Sequence, residues 1–192
     1  MAVSIRKAHR SDALHVAAIV DIAGHGIDVD MWRSNMDEDG SPLSAARSLI
    51  LDDPDRPYHL SRAFILEIDK EIAGGVIGSL KYDYSVLPQG FPAYMAPLLE
   101  LESRVPMFWS VLAVAICREF RGKGLARSLL DFADGQARSE GARGLSIVVE
   151  DTNLRAITLY RRFGFKDRDL LPWLPYGGRA GPQHWVLLTL DF

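Results

Sequence analysis

Cysteine is almost absent from this sequence. Cys117 is the single cysteine among 192 residues, which excludes an intramolecular disulfide and a zinc site built from several cysteines. One free thiol is typical of proteins from a reducing compartment. We therefore expect a cytoplasmic protein.

An excess of basic residues and a long apolar run are also missing. The 22 Lys and Arg residues are outnumbered by 25 Asp and Glu residues, whereas nucleic-acid-binding domains usually show a basic excess. No uninterrupted apolar run approaches the roughly 20 residues that span a bilayer, and the first residues hold no apolar stretch of the signal-peptide type. We expect neither nucleic acid nor a membrane as a partner.

What the sequence does contain is enough apolar material for a sizeable core. Hydrophobic residues make up 48% of the chain, as in globular proteins, and the length predicts one domain over 1–192. Residues 83–106 are rich in proline and apolar residues, which predicts an insert with a short helix near 95–102.

Hydrophobic periodicity predicts strands and helices in an order typical of a mixed sheet covered by helices. Strands are predicted at 2–8, in a hairpin over 63–82 that turns at Asp69 and Lys70, and at 107–116, 145–150, 165–171 and 184–192. Helices are predicted from an N-cap at Ser11 or Asp12 to Gly24, as two short helices within 27–60, from 124 to about 140, and over 153–164.

The segment ICREFRGKGLARSLL, residues 116–130, places two glycines and two cations where a strand gives way to a helix. The first amides of a helix have no intrahelical acceptor, and the helix dipole favours an anion there by about 0.3–1 kcal/mol. Gly122 and Gly124 let a ligand approach the backbone, and Arg121 and Lys123 add positive charge. The pattern favours a phosphate-binding turn, and a plain connecting turn is the alternative.

A polar amide, a small residue and a phenol share one face of the predicted helix over 153–164. Asn153 and Tyr160 are seven residues apart, so they return to nearly the same face, about 10 Å apart along the axis. Ala156 lies between them. The three residues leave room for an extended ligand, while a simple N-cap at Asn153 and half-buried packing at Tyr160 are the alternatives.

Together these two segments resemble the GNAT superfamily of N-acetyltransferases. Arg121, Gly124 and Ala126, within RGKGLA, match its acetyl-CoA signature. NLRAITLYRRFGF, residues 153–165, matches each fixed position of the second signature, N-x-x-A-x-x-L-Y-x-x-x-G-F. The resemblance implies an α/β fold, with a central mixed sheet of six to seven strands flanked by helices and the insert over 83–106 on the substrate side.

The resemblance also implies the roles of individual residues. The amides of 121–126 would bind the CoA pyrophosphate, the strand ending at Val114–Ile116 would pair with the pantetheine, and Asn153 would contact it. The thioester would lie between the splayed ends of the strands at 108–116 and 145–150. Tyr160 would protonate the leaving thiolate, and no metal is required. The implied acetyl-CoA-binding residues are Val114, Ala115, Ile116, Arg121, Gly122, Lys123, Gly124, Leu125, Ala126, Asn153, Ala156 and Tyr160.

The general base is where the sequence departs from the family pattern. Some relatives carry a glutamate five positions before the asparagine, where this chain has Val148. Others carry one early in the preceding strand, where it has Ser110. Glu102 is the candidate base, with Glu100, Glu150 and ordered water as alternatives, and a solvated surface role is the other interpretation of each carboxylate.

The sequence thus predicts transfer of the acetyl group of acetyl-CoA to a primary amine of a small molecule. Acetylation of a protein or peptide amine, and a non-catalytic acyl-CoA-binding sensor, stay open as alternatives, as does a homodimer. Segments 24–45 and 83–106 are expected to line the amine site, because both combine bulky apolar and acidic residues. These are Asp28, Asp30, Met31, Trp32, Met36, Asp37, Glu38 and Asp39 in the first, and Asp83, Tyr84, Phe91, Tyr94 and Met95 with the preceding Tyr82 in the second.

Overall fold

The structure is a computed structural model that describes residues 2–36, 40–52, 54–80, 92–175 and 181–192. Each predicted strand and helix is present within a few residues of its expected bounds. The strands are β1 (Val3–Lys7), β2 (Ala63–Ile68), β3 (Glu71–Ser79), β4 (Trp109–Ile116), β5 (Gly144–Glu150), β6 (Lys166–Pro172) and β7 (His184–Asp191). The helices are α1 (Ala13–Ala23), α2 (Ile27–Ser34), α3 (Pro42–Asp52), α4 (Ala96–Ser103), α5 (Leu125–Ser139) and α6 (Leu154–Phe163).

The strands follow the order β1-β2-β3-β4-β5-β7-β6. β4 and β5 run parallel, whereas β1 with β2, β2 with β3, β5 with β7 and β6 with β7 run antiparallel. The predicted α/β class with a mixed sheet is therefore confirmed. No helix within the described ranges combines the length and the apolar character needed to cross a bilayer.

Two compact units make up the chain. The first comprises Met1–Gly78 and Leu112–Phe132, and the second comprises Ser79–Val111 and Ala133–Phe192. The start of β4 therefore belongs to the second unit and its end to the first.

In the first unit, helices pack on both faces of the β2–β3 hairpin. A Cβ at Gly75 would lie 2.8 Å from the Cδ1 atom of Ile19, so the missing side chain lets α1 approach β3. On the opposite face, the ring of Phe64 meets that of Phe132 of α5 edge-on, with 4.9 Å between centroids. The strands are buried on both sides, which explains their continuous apolar runs.

Asp12 links β1 to α1, but not as the predicted helix cap. It precedes α1 without capping it, and its Oδ2 atom accepts hydrogen bonds from Arg6 Nη1 and from the backbone N of His9, both at 2.7 Å. Asp12 is 5% exposed. The hydrogen bond from Arg6 holds the pKa of this carboxyl below its usual value, and the bond from His9 adds to the effect.

In the second unit, α4 packs against β5, β6 and β7. Arg104, just after α4, places its Nη1 atom 2.5 Å from Oδ2 of Asp169 on β6. Asp169 pairs with Leu187, and Leu187 pairs with Val148. Paired residues project to the same side of a sheet. We call the side on which Asp169, Leu187 and Val148 project the α4 face.

A row of buried hydroxyls crosses the α4 face. Ser110 pairs with Ser146, and Ser146 pairs with Thr189. All three are buried, and 3.2 Å separates the Oγ atoms of Ser110 and Ser146. The opposite face receives the end of α6, because a Cβ at Gly164 would lie 3.3 Å from Leu190 Cδ1.

Candidate active site

The turn between β4 and α5 belongs to the first unit and contains residues 121–126. A short 3-10 helix, Arg118–Phe120, follows β4. Gly122 and Gly124 then adopt φ values of 81° and 77°, and Leu125 begins α5. These φ values strain residues that have a Cβ, so this backbone path requires the two glycines.

Both glycines face open space. A Cβ built at either one would meet no heavy atom within 4 Å, so packing does not explain the missing side chains. The positive end of the dipole of the 15-residue helix α5 lies at this turn. A ligand can therefore approach the turn backbone closely where an anion is favoured.

The two cations of the turn are already engaged by the protein. Arg121 donates from Nε to the carbonyl oxygen of Ile116 at 3.0 Å. The Nζ atom of Lys123 lies 5.4 Å from the centre of the Phe120 ring. The backbone amide of Arg121 donates to Arg118 O at 3.3 Å, whereas the following amides of the turn can act as anion donors without any side chain moving.

The end of β4 is held closely by β3. A Cβ at Gly74 would lie 2.2 Å from the carbonyl oxygen of Ala115, and Cys117 N donates to Ala73 O at 2.8 Å. Val114 is half-buried, whereas Ala115 and Ile116 are buried. This close approach leaves no room for a larger residue than glycine at position 74.

β5 pairs with β7 along its whole length, but with β4 only near its start. Its pairing with β4 consists of Trp109 with Leu145 and Ser110 with Ser146. Its pairing with β7 extends from Gly144 to Glu150. Beyond Ser146, the backbone groups on the β4 side of β5 have no partner in the β4–β5 register.

Asn153, in the second unit, caps α6. Its side-chain Oδ1 atom accepts a hydrogen bond from the backbone N of Ala156 at 3.2 Å, and its carbonyl oxygen accepts from Ile157 N at 3.0 Å. This confirms the N-cap interpretation without excluding a second role, because the amide nitrogen of the side chain can still donate. Asn153 and Ala156 are both half-buried.

Tyr160 lies on the buried side of α6. It is 6% exposed, so it is buried rather than half-buried, and its ring centre lies 5.9 Å from that of Phe165. Burial raises the pKa of the Tyr160 hydroxyl far above its usual value, because an apolar environment disfavours the phenolate. The group therefore keeps its proton throughout the neutral pH range and can serve as a donor.

Glu102 is a buried carboxylic acid on α4. It is 6% exposed, which overturns the interpretation of this residue as a solvated surface group. Since α4 packs on β5, β6 and β7, it covers the face on which Ser110 and Val148 project. These are the two positions at which relatives are expected to carry a catalytic glutamate.

The two alternative carboxylates have different environments. Glu100 is exposed and pairs with Arg104 one turn along, so its surface role is confirmed. Glu150 ends β5, is half-buried, and pairs in register with Trp185.

The sequence of this chain matches the model of the Acetyltransferase (GNAT) family over residues 29–165. That range covers most of the chain and includes both the turn at 121–126 and the helix of Asn153 and Tyr160. The chain belongs to the GNAT family of acetyltransferases. It is therefore an acyltransferase, and the acetyl donor of this family is acetyl-CoA.

Solved structures support the GNAT fold of the whole chain. One reported as an acetyltransferase aligns with a TM-score of 0.69 at 18% identity and covers 98% of each chain. An N-acetyltransferase from Staphylococcus aureus Mu50 gives 0.63 at 18% identity, over 97% of this chain and 100% of that one. The ribosomal-protein-S18-alanine N-acetyltransferase from Escherichia coli gives 0.58 at 17% identity, over 99% and 94%. Comparison with curated proteins gave no match.

The predicted lining of the amine site in this GNAT enzyme is only partly described. Met31, Trp32 and Met95 are buried, and Tyr94 is half-buried. The remaining predicted lining residues are mostly outside the described part. Asp37, Glu38, Asp39, Tyr82, Asp83, Tyr84 and Phe91 lie outside the described residues, as do the side chains of Asp28 and Asp30.

One polar cluster beside the second GNAT signature has no counterpart among the residues predicted from the sequence. Asp151 accepts hydrogen bonds from the backbone N of Gln183 at 3.2 Å and from that of His184 at 3.0 Å. Its Oδ2 atom also lies 3.2 Å from His184 Nδ1. The cluster fixes the start of β7 against the loop before α6, and no periodicity in the sequence connects residues this far apart.

Proposed function

We propose that this GNAT enzyme transfers the acetyl group of acetyl-CoA directly to a primary amine of a small molecule. The observation that carries the proposal is the pair of buried groups in the second unit, Tyr160 on α6 and Glu102 on α4. One keeps a proton at neutral pH, and the other is a carboxyl group held away from bulk water. Direct transfer to an amine needs one proton donor and one proton acceptor of these kinds.

In the first unit, the turn at 121–126 fits the pyrophosphate of acetyl-CoA. Gly122 and Gly124 expose backbone amides at the start of α5, and the space in front of both is open. Leu125 is buried and anchors the helix start, while Ala126 is half-buried. We assign the pyrophosphate to the amides of this turn, with Arg121 and Lys123 as secondary contributors, and the pantetheine to the backbone of Val114, Ala115 and Ile116.

In the second unit, α6 presents the residues proposed to contact the rest of the donor. Asn153 keeps its amide nitrogen as a donor for a pantetheine carbonyl. Ala156 is small enough to let an extended chain pass along the helix. Tyr160 follows on the same face and is assigned to the sulfur end.

Tyr160 is proposed as the general acid. Collapse of the tetrahedral adduct breaks the carbon–sulfur bond, and the electron pair leaves with sulfur. The phenol gives its proton to that thiolate and regains one from solvent or from the nitrogen, which loses its second proton as the amide forms. Because burial raises the pKa of the Tyr160 hydroxyl, the group is always in its donating form when the adduct collapses.

Glu102 is proposed as the general base. An amine arrives at neutral pH mostly as an ammonium ion, which has no electron pair for attack. The carboxylate of Glu102 takes the first proton, and the neutral nitrogen then attacks the thioester carbon. Helix α4, which covers the α4 face, can thus supply the carboxylate that the strands lack at Ser110 and Val148.

A screen for free CoA release tests the proposed activity. The protein is incubated with acetyl-CoA and separate panels of amines, amino acids, polyamines and peptides, and new thiol is measured. Release that depends on a small amine is the expected result. Release with peptides alone would move the substrate class to protein amines, and the absence of acetyl-CoA binding in calorimetry would refute the proposal.

The role of Glu102 is tested by Glu102→Gln, with Glu100→Gln as the matched control on the same helix. We expect Glu102→Gln to lower kcat by about 100-fold at pH 7, the low end for a lost general base, and Glu100→Gln to change it by less than about 2-fold, since exposed pairs contribute little. The loss of kcat in Glu102→Gln should shrink as the pH rises toward the pKa of the substrate amine, because more of the amine is then already neutral. A constant deficit at every pH would assign Glu102 a purely structural role.

A further inference from the structure

The indole N–H of Trp185 is a buried donor that has no acceptor among the described residues. Trp185, on β7, is 4% exposed, and its Nε1 atom makes no hydrogen bond within the described part of the chain. A buried donor left without an acceptor costs about 1–3 kcal/mol, and about 90% or more of buried polar groups in proteins are satisfied. The position therefore calls for an acceptor that the described part of the chain does not provide.

The register places Trp185 on the α4 face. It pairs with Glu150 of β5 and with Leu171 of β6. Leu187, two residues along β7, pairs with Val148 and projects to the same side. Trp185 therefore lies on the face that α4 covers, toward the end of β5 at which the strand leads to Asn153.

The polar groups nearby that the structure describes do not satisfy this N–H. Glu150 is the carboxylate directly opposite in register, yet Trp185 Nε1 does not donate to it. The next residues on this face are Leu171 of β6 and Trp173 just after that strand, and Trp173 is 8% exposed. A Cβ at Gly181 would lie 2.3 Å from the ring of Trp173, so the backbone just before β7 packs closely against that ring.

Resting on the proposed function, we infer that Trp185 selects the amine substrate. Its indole N–H donates to an oxygen of that substrate, so the substrate carries a carbonyl, carboxylate or hydroxyl oxygen beside its amine. An amino acid or an amino acid amide has this chemistry, and an alkylamine or a polyamine does not. Trp185 is thus a specificity-determining residue that takes no part in proton transfer.

The test uses glycinamide and ethylamine, two small primary amines of which the first carries a carbonyl oxygen. The protein is labelled with ¹⁵N at its four tryptophans and saturated with CoA. The Trp185 indole signal is assigned by Trp185→Phe or, if that variant does not fold, by elimination with Phe variants of the other three. We expect glycinamide to move the indole proton of Trp185 downfield and ethylamine to leave it in place.

Kinetics provides the second measurement. We expect Trp185→Phe to reduce the ratio of kcat/KM for glycinamide to that for ethylamine by about 5- to 10-fold, the size of one neutral hydrogen bond. A loss of packing alone lowers both values and leaves their ratio unchanged. An unchanged ratio, equal NMR responses to the two amines, no response to glycinamide, or an indole cross-peak to a bound water would each overturn the assignment. CoA release by the wild type with either amine upholds the proposed function independently of these results.

Discussion

The proposed pyrophosphate site is tested by a pair of glycine substitutions, of which only one is expected to weaken acetyl-CoA binding. Gly124 and Gly141 have nearly the same φ, 77° and 74°, and a Cβ at either would meet no heavy atom within 4 Å. Gly124 precedes α5 in the turn, whereas Gly141 follows the same helix at its other end. The substitutions Gly124→Ala and Gly141→Ala therefore impose the same backbone strain at two ends of one helix.

The structure determines the size of each expected effect. An alanine held at this φ costs about 1–2 kcal/mol, and neither methyl group has anything to collide with, so both variants should lose a similar free energy of unfolding. Only the methyl at 124 occupies the open space proposed for the pyrophosphate. Losing one hydrogen bond to a charged group there costs about 1.5–3 kcal/mol, which weakens acetyl-CoA binding by about 10- to 150-fold.

Calorimetric titration of both variants with acetyl-CoA and with CoA provides the assay, and thermal unfolding verifies that their stabilities match. We expect Gly141→Ala to bind like the wild type and Gly124→Ala to bind more weakly by the factor above. Equal affinity in the two variants would show that the turn does not hold the pyrophosphate. Equal weakening in both would trace the effect to helix strain instead.

Two further predictions concern single hydroxyl and carboxyl groups. Tyr160→Phe should lower kcat by about 100-fold but change the Kd of acetyl-CoA little. Steady-state kinetics measures kcat and calorimetry measures Kd. An unchanged kcat would show that Tyr160 is not the general acid. Asp12→Asn should lower the free energy of unfolding by about 2 kcal/mol at pH 7, because Arg6 loses a charge-assisted partner. The pKa of Asp12 is lowered in the folded state, so its contribution is present above about pH 4 and is lost as the pH falls through the lowered value. Denaturant unfolding at pH 7 and pH 3 should show this difference shrinking, and a constant difference would contradict it.

Much of the site was predictable because its signals are local. Glycines at 122 and 124 need a positive φ whatever surrounds them, and Asn153 caps α6 through a contact with Ala156 only three residues away. The positive φ and the helix cap each depend only on residues within one short segment. The motifs could therefore be placed at a helix start before any tertiary contact was known.

The carboxylate environments were not predictable in the same way. Glu100 and Glu102 are two residues apart in a proline-rich segment with no clear periodicity, so a surface role was an equal alternative for both. Packing of α4 on β5, β6 and β7 buries Glu102 and leaves Glu100 exposed. Asp12 similarly looked like a helix cap until the fold placed Arg6 beside it.

The sequence alone determined which segments form the mixed sheet, where the turn before α5 lies, and which family the two motifs resemble. These properties depend on periodicity, on glycine conformation and on contacts within one turn of helix. Only the tertiary structure decided that Glu102 is buried, that the indole N–H of Trp185 finds no acceptor within the described ranges, and that Asp151 binds His184. Those facts depend on strand register and helix packing, which bring together residues that are far apart in the chain.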